Sequence, residues 1–324
     1  MRILIILPNW LGDALMATPA IEALAQSYQN AKFTFVGSFA SIEALKYHPK
    51  CEAFYIDETK KSTKNRLVAT YKFAKKLGSF DMAVSFRNQI FTSLLLRFTE
   101  TVVCCTRGAW HSRFLLSHTP KILTQQHLVK QYVEIAMANT SPIHEISPLT
   151  LYIEAKKFDK PTLGINAGAT YGSAKRWYPE RFAEVAAAFS DRFEILIFGG
   201  PGEVEMAGDI QKRLEDLQVT NFTNIAGKTT IKELCENIGG CSLSITNDSG
   251  PMHVAAAYRV PSITIFGPTK HKETSQWMNP KSKIVRHEIE CAPCMKRECP
   301  LGHHECMKSI TASEVIEAVK ELKV

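Results

Sequence analysis

No apolar run in this 324-residue chain approaches the ~18 residues needed to cross a bilayer. The start carries no export pattern: the apolar stretch 3–7 is short, and Pro8, Trp10 and Asp13 follow where small residues would mark a cleavage site. That stretch reads as a buried first strand. The nine cysteines are therefore expected in a reducing cytosol, as free thiols or metal ligands. Neither G-x-G-x-x-G nor a Walker A sequence occurs, so a dinucleotide fingerprint and a P-loop are both unsupported. Asp-x-Asp is absent as well, and with it the pair that many sugar transferases use to hold a metal against a nucleotide diphosphate. There is no basic stripe interleaved with aromatics, so nucleic acid is not an expected partner.

What is present is an ordinary globular mix, 45% hydrophobic and 22% charged, over a length that suits two domains at ~150 residues each. Such a chain buries enough core to need no disulfide framework. The net charge of +7 is uneven: residues 1–155 hold 17 of the 39 Lys+Arg and 11 of the 32 Asp+Glu, or +6, which leaves 22 and 21, or +1, for residues 156–324. A basic first half favours an anionic partner; the plain alternative is a lysine-rich solvated surface.

Apolar runs at 3–7, 32–37, 53–56 and 82–86 read as strands, with helical spacing at 14–25 and 66–77 between them. Pro19 predicts a kink or restart in the first of these helices. The second half repeats the alternation, with strands at 162–166, 193–198, 243–246 and 262–266 and helices at 181–189, 231–238 and 253–257. Strands alternating with helices imply parallel βαβ units covered on both faces. The polar stretch 154–161 is the linker candidate. The expected architecture is α/β: two Rossmann-like domains with parallel sheets, 1–155 and 156–324, facing each other across a cleft. Residues 312–323 predict an amphipathic helix packed on the body of the protein.

Three loops that follow strands carry the chemistry, because ligands of open parallel sheets bind beyond the carboxyl ends of the strands. The first is Asn9-Trp10-Leu11-Gly12-Asp13, where Asp13 is either a helix cap or a base whose ionised form the helix start favours. The second runs from Asn166 to Trp177. Its small residues let backbone approach a phosphate, Thr170 and Ser173 offer hydroxyls, and Lys175 adds charge. The third, Thr246-Asn247-Asp248-Ser249-Gly250-Pro251-Met252-His253, places N–H groups of Ser249 and Gly250 at a helix start. There Asp248 suits a sugar hydroxyl or a backbone amide, and His253 is either a diphosphate donor or a packed core histidine. Gly227, Lys228 and Thr229 form a further loop expected on the same edge.

The segments Asn-Trp-Leu-Gly-Asp-Ala-Leu-Met-Ala-Thr-Pro-Ala, Gly-Ala-x-x-Gly-x-Ala-Lys-Arg-Trp and Thr-Asn-Asp-Ser-Gly-x-Met-His-Val-Ala-Ala-Ala, in this order, resemble glycosyltransferase family 9. The likeness implies a GT-B fold, with an acceptor held by the first domain and a nucleotide sugar by the second. It also implies inverting transfer of L-glycero-D-manno-heptose from ADP-heptose to the first inner-core heptose of lipopolysaccharide. On that likeness Asp13 is the general base. Thr170, Ser173, Lys175, Gly227, Lys228, Thr229, Asp248, Ser249, Gly250 and His253 are donor contacts, with no cofactor required for the chemistry. The acceptor is anionic, with carboxylates of 3-deoxy-D-manno-octulosonic acid and the phosphates of lipid A, and its acyl chains imply peripheral contact with the inner face of the inner membrane. Candidate acceptor contacts are Asn9, Trp10, Lys60, Lys61, Lys64 and Arg66, with Arg113 and Lys121 behind them. The second segment departs from the family pattern at its start, Asn166-Ala167-Gly168, where Pro-Gly-Ala is usual.

One cluster is left over. Cys291, Cys294, Cys299 and Cys306, with His303 and His304, fall within sixteen residues as C-x2-C-x4-C-x6-C. This reads as a candidate structural zinc site, or as a loop with free thiols. Cys51, Cys104, Cys105, Cys235 and Cys241 are expected to be small buried apolar groups. Competing functions are heptose transfer at another core position, a different nucleotide-sugar transferase, and a non-enzymatic nucleotide or membrane-surface binder. A panel of nucleotide sugars separates the enzymes, and Asp13→Asn separates enzyme from binder.

Overall fold

A computed structural model describes residues 1–61, 65–101, 103–106, 114–116, 125–140 and 145–324. The chain divides into two compact units, Met1–Tyr152 and Ile153–Val324. Each is a parallel sheet flanked by helices.

In the first unit the strands are β1 (Arg2–Ile6), β2 (Lys32–Gly37), β3 (Cys51–Ile56), β4 (Met82–Ser85) and β5 (Val103–Thr106), in spatial order β3-β2-β1-β4-β5. All the pairings are parallel. Central β1 is buried at every residue after Arg2, as its unbroken apolar run requires of a strand covered on both faces. Edge strand β3 instead alternates half-buried and exposed positions. The chain lays down β1 to β3 in one direction and then returns to the other side of β1 for β4, so the crevice at the carboxyl ends of β1 and β4 is the switch point.

The second unit repeats the plan with six strands, β6 (Thr162–Asn166), β7 (Glu194–Phe198), β8 (Phe222–Asn224), β9 (Leu243–Asn247), β10 (Ser262–Ile265) and β11 (Ser282–Val285). Their order is β11-β10-β9-β6-β7-β8, again parallel throughout. Here the switch point lies between β6 and β9. The core packs Trp177, Phe182, Ile195, Ile197 and Ile245, each at most 1% exposed, under the C-terminal helix residues Val315 and Val319.

The helix expected at 14–25 is two, Leu11–Met16 and Thr18–Ser27, broken at Ala17; Pro19 sits in the first turn of the second, where its missing N–H is not needed. The helix expected at the C-terminus forms as Ala312–Glu321, opened by a Thr311–Glu314 capping box. Among the described residues no helix is long and apolar enough to cross a membrane.

Candidate functional site

In the first unit, β1 passes into a loop whose carbonyls are taken up one after another. Leu7 O accepts from Arg87 Nε at 2.6 Å, Pro8 O from Ser41 Oγ at 2.6 Å, and Asn9 O from Ser38 Oγ at 2.7 Å. Helix Leu11–Met16 then begins with Trp10 at the N-cap position and Asp13 inside its first turn, three residues after the cap. Asp13 is half-buried, while Asn9 and Trp10 are exposed at the same carboxyl edge.

Lys60 and Lys61 stand exposed on the turn Thr59–Lys61 that follows β3 on this edge, and Lys61 pairs with Glu58 at 2.8 Å. Arg66 opens the helix Arg66–Leu77 and lies over the Phe91 ring, 3.9 Å from its centroid. Lys64, Arg113 and Lys121 lie outside the described residues. The pattern reading passed over Arg87 and Asp57, which form a buried ion pair at 2.7 Å. A lone Arg after an apolar strand carries no pattern to mark it.

In the second unit the ends of β6 and β9 lie side by side, Asn166 beside Thr246. The fully buried Asn247 holds the loop after β6 at both ends: its Oδ1 accepts from Trp177 N at 3.0 Å, and its Nδ2 donates to Ala167 O at 2.5 Å. Between those points the short turn Ser173–Lys175 carries Lys175 Nζ to 2.5 Å from Asp248 Oδ2 and 3.2 Å from Asp248 O. Thr269 Oγ1 donates to the same carboxylate at 2.5 Å. The pair is nearly closed to solvent, with side chains 13% and 5% exposed. Ser249 is the N-cap residue of helix Gly250–Ala257, which places backbone N–H groups beside that pair, and the buried His253 follows in the helix.

Lys175, Asp248, Ser249, Gly250 and His253 are thus gathered at one switch point. Thr170 and Ser173 are exposed on the loop above it. Gly227, Lys228 and Thr229 follow β8, two strands out from β6, where Gly227 adopts φ +73° and Lys228 Nζ donates to Asn224 O at 3.1 Å. A fixed ammonium beside helix N–H groups is suited to a diphosphate, and a buried carboxylate that accepts hydrogen bonds is suited to a sugar hydroxyl. Sequence reading missed Thr269, and it missed Glu203, whose carboxylate accepts from Gly200 N at 2.9 Å and fills the space where a Cβ on Gly168 would stand.

Cys291, Cys294 and Cys299 lie close to Cys306, but among the described residues no three His, Cys, Asp or Glu side chains are placed to hold a metal ion. The segment instead braces the loop after β6. Arg297 O accepts from Ala174 N at 3.0 Å, Met295 O from Tyr171 OH at 2.7 Å, and the His304 ring contacts Ala174 O at 2.9 Å and Tyr178 OH at 3.1 Å. Cys299 Sγ accepts from His304 N at 3.4 Å; this contact, opposed by slight burial and supported by the N–H groups of Leu301, Gly302 and His303, holds its thiol below the ordinary value. Burial, together with the neighbouring thiols of Cys291, Cys294 and Cys299, pushes Cys306 up to about 11. Cys104, Cys105, Cys235 and Cys241 are buried; Cys51 is only half-buried, contrary to expectation, because β3 is an edge strand.

The profile of glycosyltransferase family 9 (heptosyltransferase) matches residues 70–305. Lipooligosaccharide heptosyltransferase 2 of Campylobacter jejuni is 37% identical over 330 residues, covering 99% of both chains. Lipopolysaccharide heptosyltransferase 2 of Escherichia coli K12 is 25% identical over 99% of this chain and 98% of its own. Among solved structures, E. coli ADP-heptose lps heptosyltransferase II superposes with a TM-score of 0.83 at 22% identity, covering 99% of this chain and 98% of that one. The fold of the two units is therefore that of the GT-B heptosyltransferases.

Proposed function

Because the chain belongs to glycosyltransferase family 9, the heptosyltransferases, we propose that it transfers L-glycero-D-manno-heptose from ADP-heptose to the first inner-core heptose of lipopolysaccharide, with inversion. The observation that carries this reading is the Lys175–Asp248 pair at the head of helix Gly250–Ala257, with a carboxylate, Asp13, on the corresponding edge of the other unit. The similarity to lipooligosaccharide and lipopolysaccharide heptosyltransferases 2, and to the E. coli ADP-heptose heptosyltransferase II, supports the same donor and acceptor class.

In this reading Asp13 takes the proton from the acceptor hydroxyl as its oxygen attacks the anomeric carbon. One carboxylate suffices, since ADP departs without needing a proton. Lys175 and the N–H groups at Ser249 and Gly250 meet the charge growing on the diphosphate in place, which lowers the barrier with little reorganisation. Asp248, held by Lys175 and Thr269, is aimed to accept from a heptose hydroxyl. His253, Thr170, Ser173 and the Gly227–Lys228–Thr229 loop complete the donor side. Asn9, Trp10, Lys60, Lys61, Lys64 and Arg66 receive the anionic acceptor.

That acceptor is lipid-linked, and a peripheral membrane contact goes with it. Helix Arg66–Leu77 turns Leu67, Val68 and Tyr71, each 46–47% exposed, to solvent beside exposed Lys72, Lys75 and Lys76. Such a face suits an anionic lipid surface.

The test is ADP release from ADP-heptose, with and without a deacylated inner-core acceptor carrying one heptose, in wild type and Asp13→Asn. Release that requires acceptor and collapses in the variant is expected. Release with another nucleotide sugar and none with ADP-heptose would reassign the donor, and no release with any would leave a binding protein.

A further inference from the structure

We propose that Arg87 is a positioning residue for the Asp13 turn, an inference that rests on the base role given to Asp13 above. Of the three loop carbonyls between β1 and that turn, two are held by serines of the adjacent helix start, Ser38 and Ser41. The remaining one, Leu7 O, is held from across the switch point by Arg87, eighty residues away in sequence.

The guanidinium is itself fixed. Its Nη1 meets Asp57 Oδ2 at 2.7 Å, and Asp57 N donates to Gly37 O at 2.8 Å, so one side chain ties together the carboxyl ends of β1, β3 and β4. Its own backbone is tethered too, with Arg87 N donating to Ser85 Oγ at 3.1 Å and Arg87 O accepting from Thr106 Oγ1 at 3.2 Å. The Arg87 side chain is 6% exposed.

Packing stability alone is a poor reason for this arrangement. Burial opposes the charge, Asp57 supports it, and the nearby Arg66 opposes it again. Arg87 Nη2 and Arg66 Nε are both buried without a hydrogen-bond partner among the described residues. Buried ion pairs are often no more stabilising than apolar residues of the same volume. What a planar fork does well is fix direction: Nε toward one carbonyl and Nη1 toward one carboxylate. A displacement of ~1 Å at a reacting group can cost ~100-fold in rate.

Arg87→Met is therefore expected to lower kcat for ADP release by ~100-fold with little change in KM for the donor. Arg87→Lys keeps the charge, loses the fork, and should recover only part of the rate. The double variant Asp13→Asn/Arg87→Met should be no slower than Asp13→Asn alone, since a positioning residue has nothing left to position. Hydrogen exchange over residues 7–14 should quicken in Arg87→Met, a readout independent of the donor and of turnover. If Arg87→Met does not fold, Asp57→Asn loosens the same fork and should give a smaller loss of kcat with the same non-additivity.

Wild-type kcat in a folded Arg87→Met, or a double variant slower than Asp13→Asn by the full single-variant factor, would overturn the proposal while leaving the base reading intact. Undiminished activity in Asp13→Asn would remove the base reading and this proposal with it.

Discussion

Replacing Lys175 with Met strips a buried carboxylate of its cation. Asp248 would keep the Thr269 hydroxyl but lose its ammonium partner, in a place where its side chain is 5% exposed. Removing one partner of a buried pair costs about 3–5 kcal/mol. Because Lys175 retains 13% exposure, the lower end, ~3 kcal/mol, is the expected figure. For a unit of this size that corresponds to a fall in Tm of ~6–12 °C. Adding Asp248→Asn removes the stranded charge while keeping an acceptor for Thr269, and should bring stability back to within ~1 kcal/mol of wild type. ADP affinity should behave differently. Loss of a charge-assisted contact weakens binding by roughly 10- to 150-fold, and the double variant should not recover it. Urea unfolding and titration calorimetry with ADP measure the two quantities on the same samples. The reasoning fails if Lys175→Met unfolds within ~0.5 kcal/mol of wild type, or if the double variant regains ADP affinity.

Gly172→Ala would set a Cβ 2.2 Å from Arg297 O, a backbone atom with no rotamer to yield; a loss of ~1–3 kcal/mol in urea unfolding is expected. Gly208→Ala, in open space within helix Val204–Asp216, should gain up to ~1 kcal/mol in the same assay. Because a lowered thiol pKa puts the reactive thiolate at lower pH, Cys299 should be the first cysteine alkylated by iodoacetamide, with an inflection below the ordinary thiol value. Cys235 and Cys241, which burial pushes up to about 12, should stay unlabelled in the native protein, and mass spectrometry of the labelled peptides would show the reverse order if this is wrong. Lys72→Gln/Lys75→Gln/Lys76→Gln should weaken co-sedimentation with phosphatidylglycerol vesicles at low salt and leave neutral vesicles unaffected; binding by the variant equal to that of wild type would remove that face from consideration.

Both sheets were legible in the sequence because their central strands are buried on both faces and read as unbroken apolar runs, such as 3–7 and 193–198. The strands passed over are short: β5 has four residues, two of them cysteines, edge strand β8 has two half-buried residues around an exposed one, and β11 is half-buried throughout; the helices Ile90–Phe98, Leu128–Ala136 and Val204–Asp216 were passed over as well. Asp13, Lys175 and Asp248 stood out because each follows a strand in a loop of small residues. Their pairing did not, since the meeting of Lys175 with Asp248 depends on β6 lying beside β9, a long-range fact absent from local pattern. For the same reason Thr269 and Arg87 gave no signal.

The brace on the loop after β6 also sets an order of events during synthesis. Tyr171, Ala174 and Trp177 leave the ribosome well before the groups that hold them, and the distances along the chain are 124 residues to Met295, 130 to His304 and 133 to Ile310. At translation rates of roughly 5–20 residues per second, that is a delay of roughly 6 to 27 s in which the loop after β6 lacks these three contacts. A chain released before its last thirty residues would carry every strand of the second sheet and still lack the brace on the loop after β6.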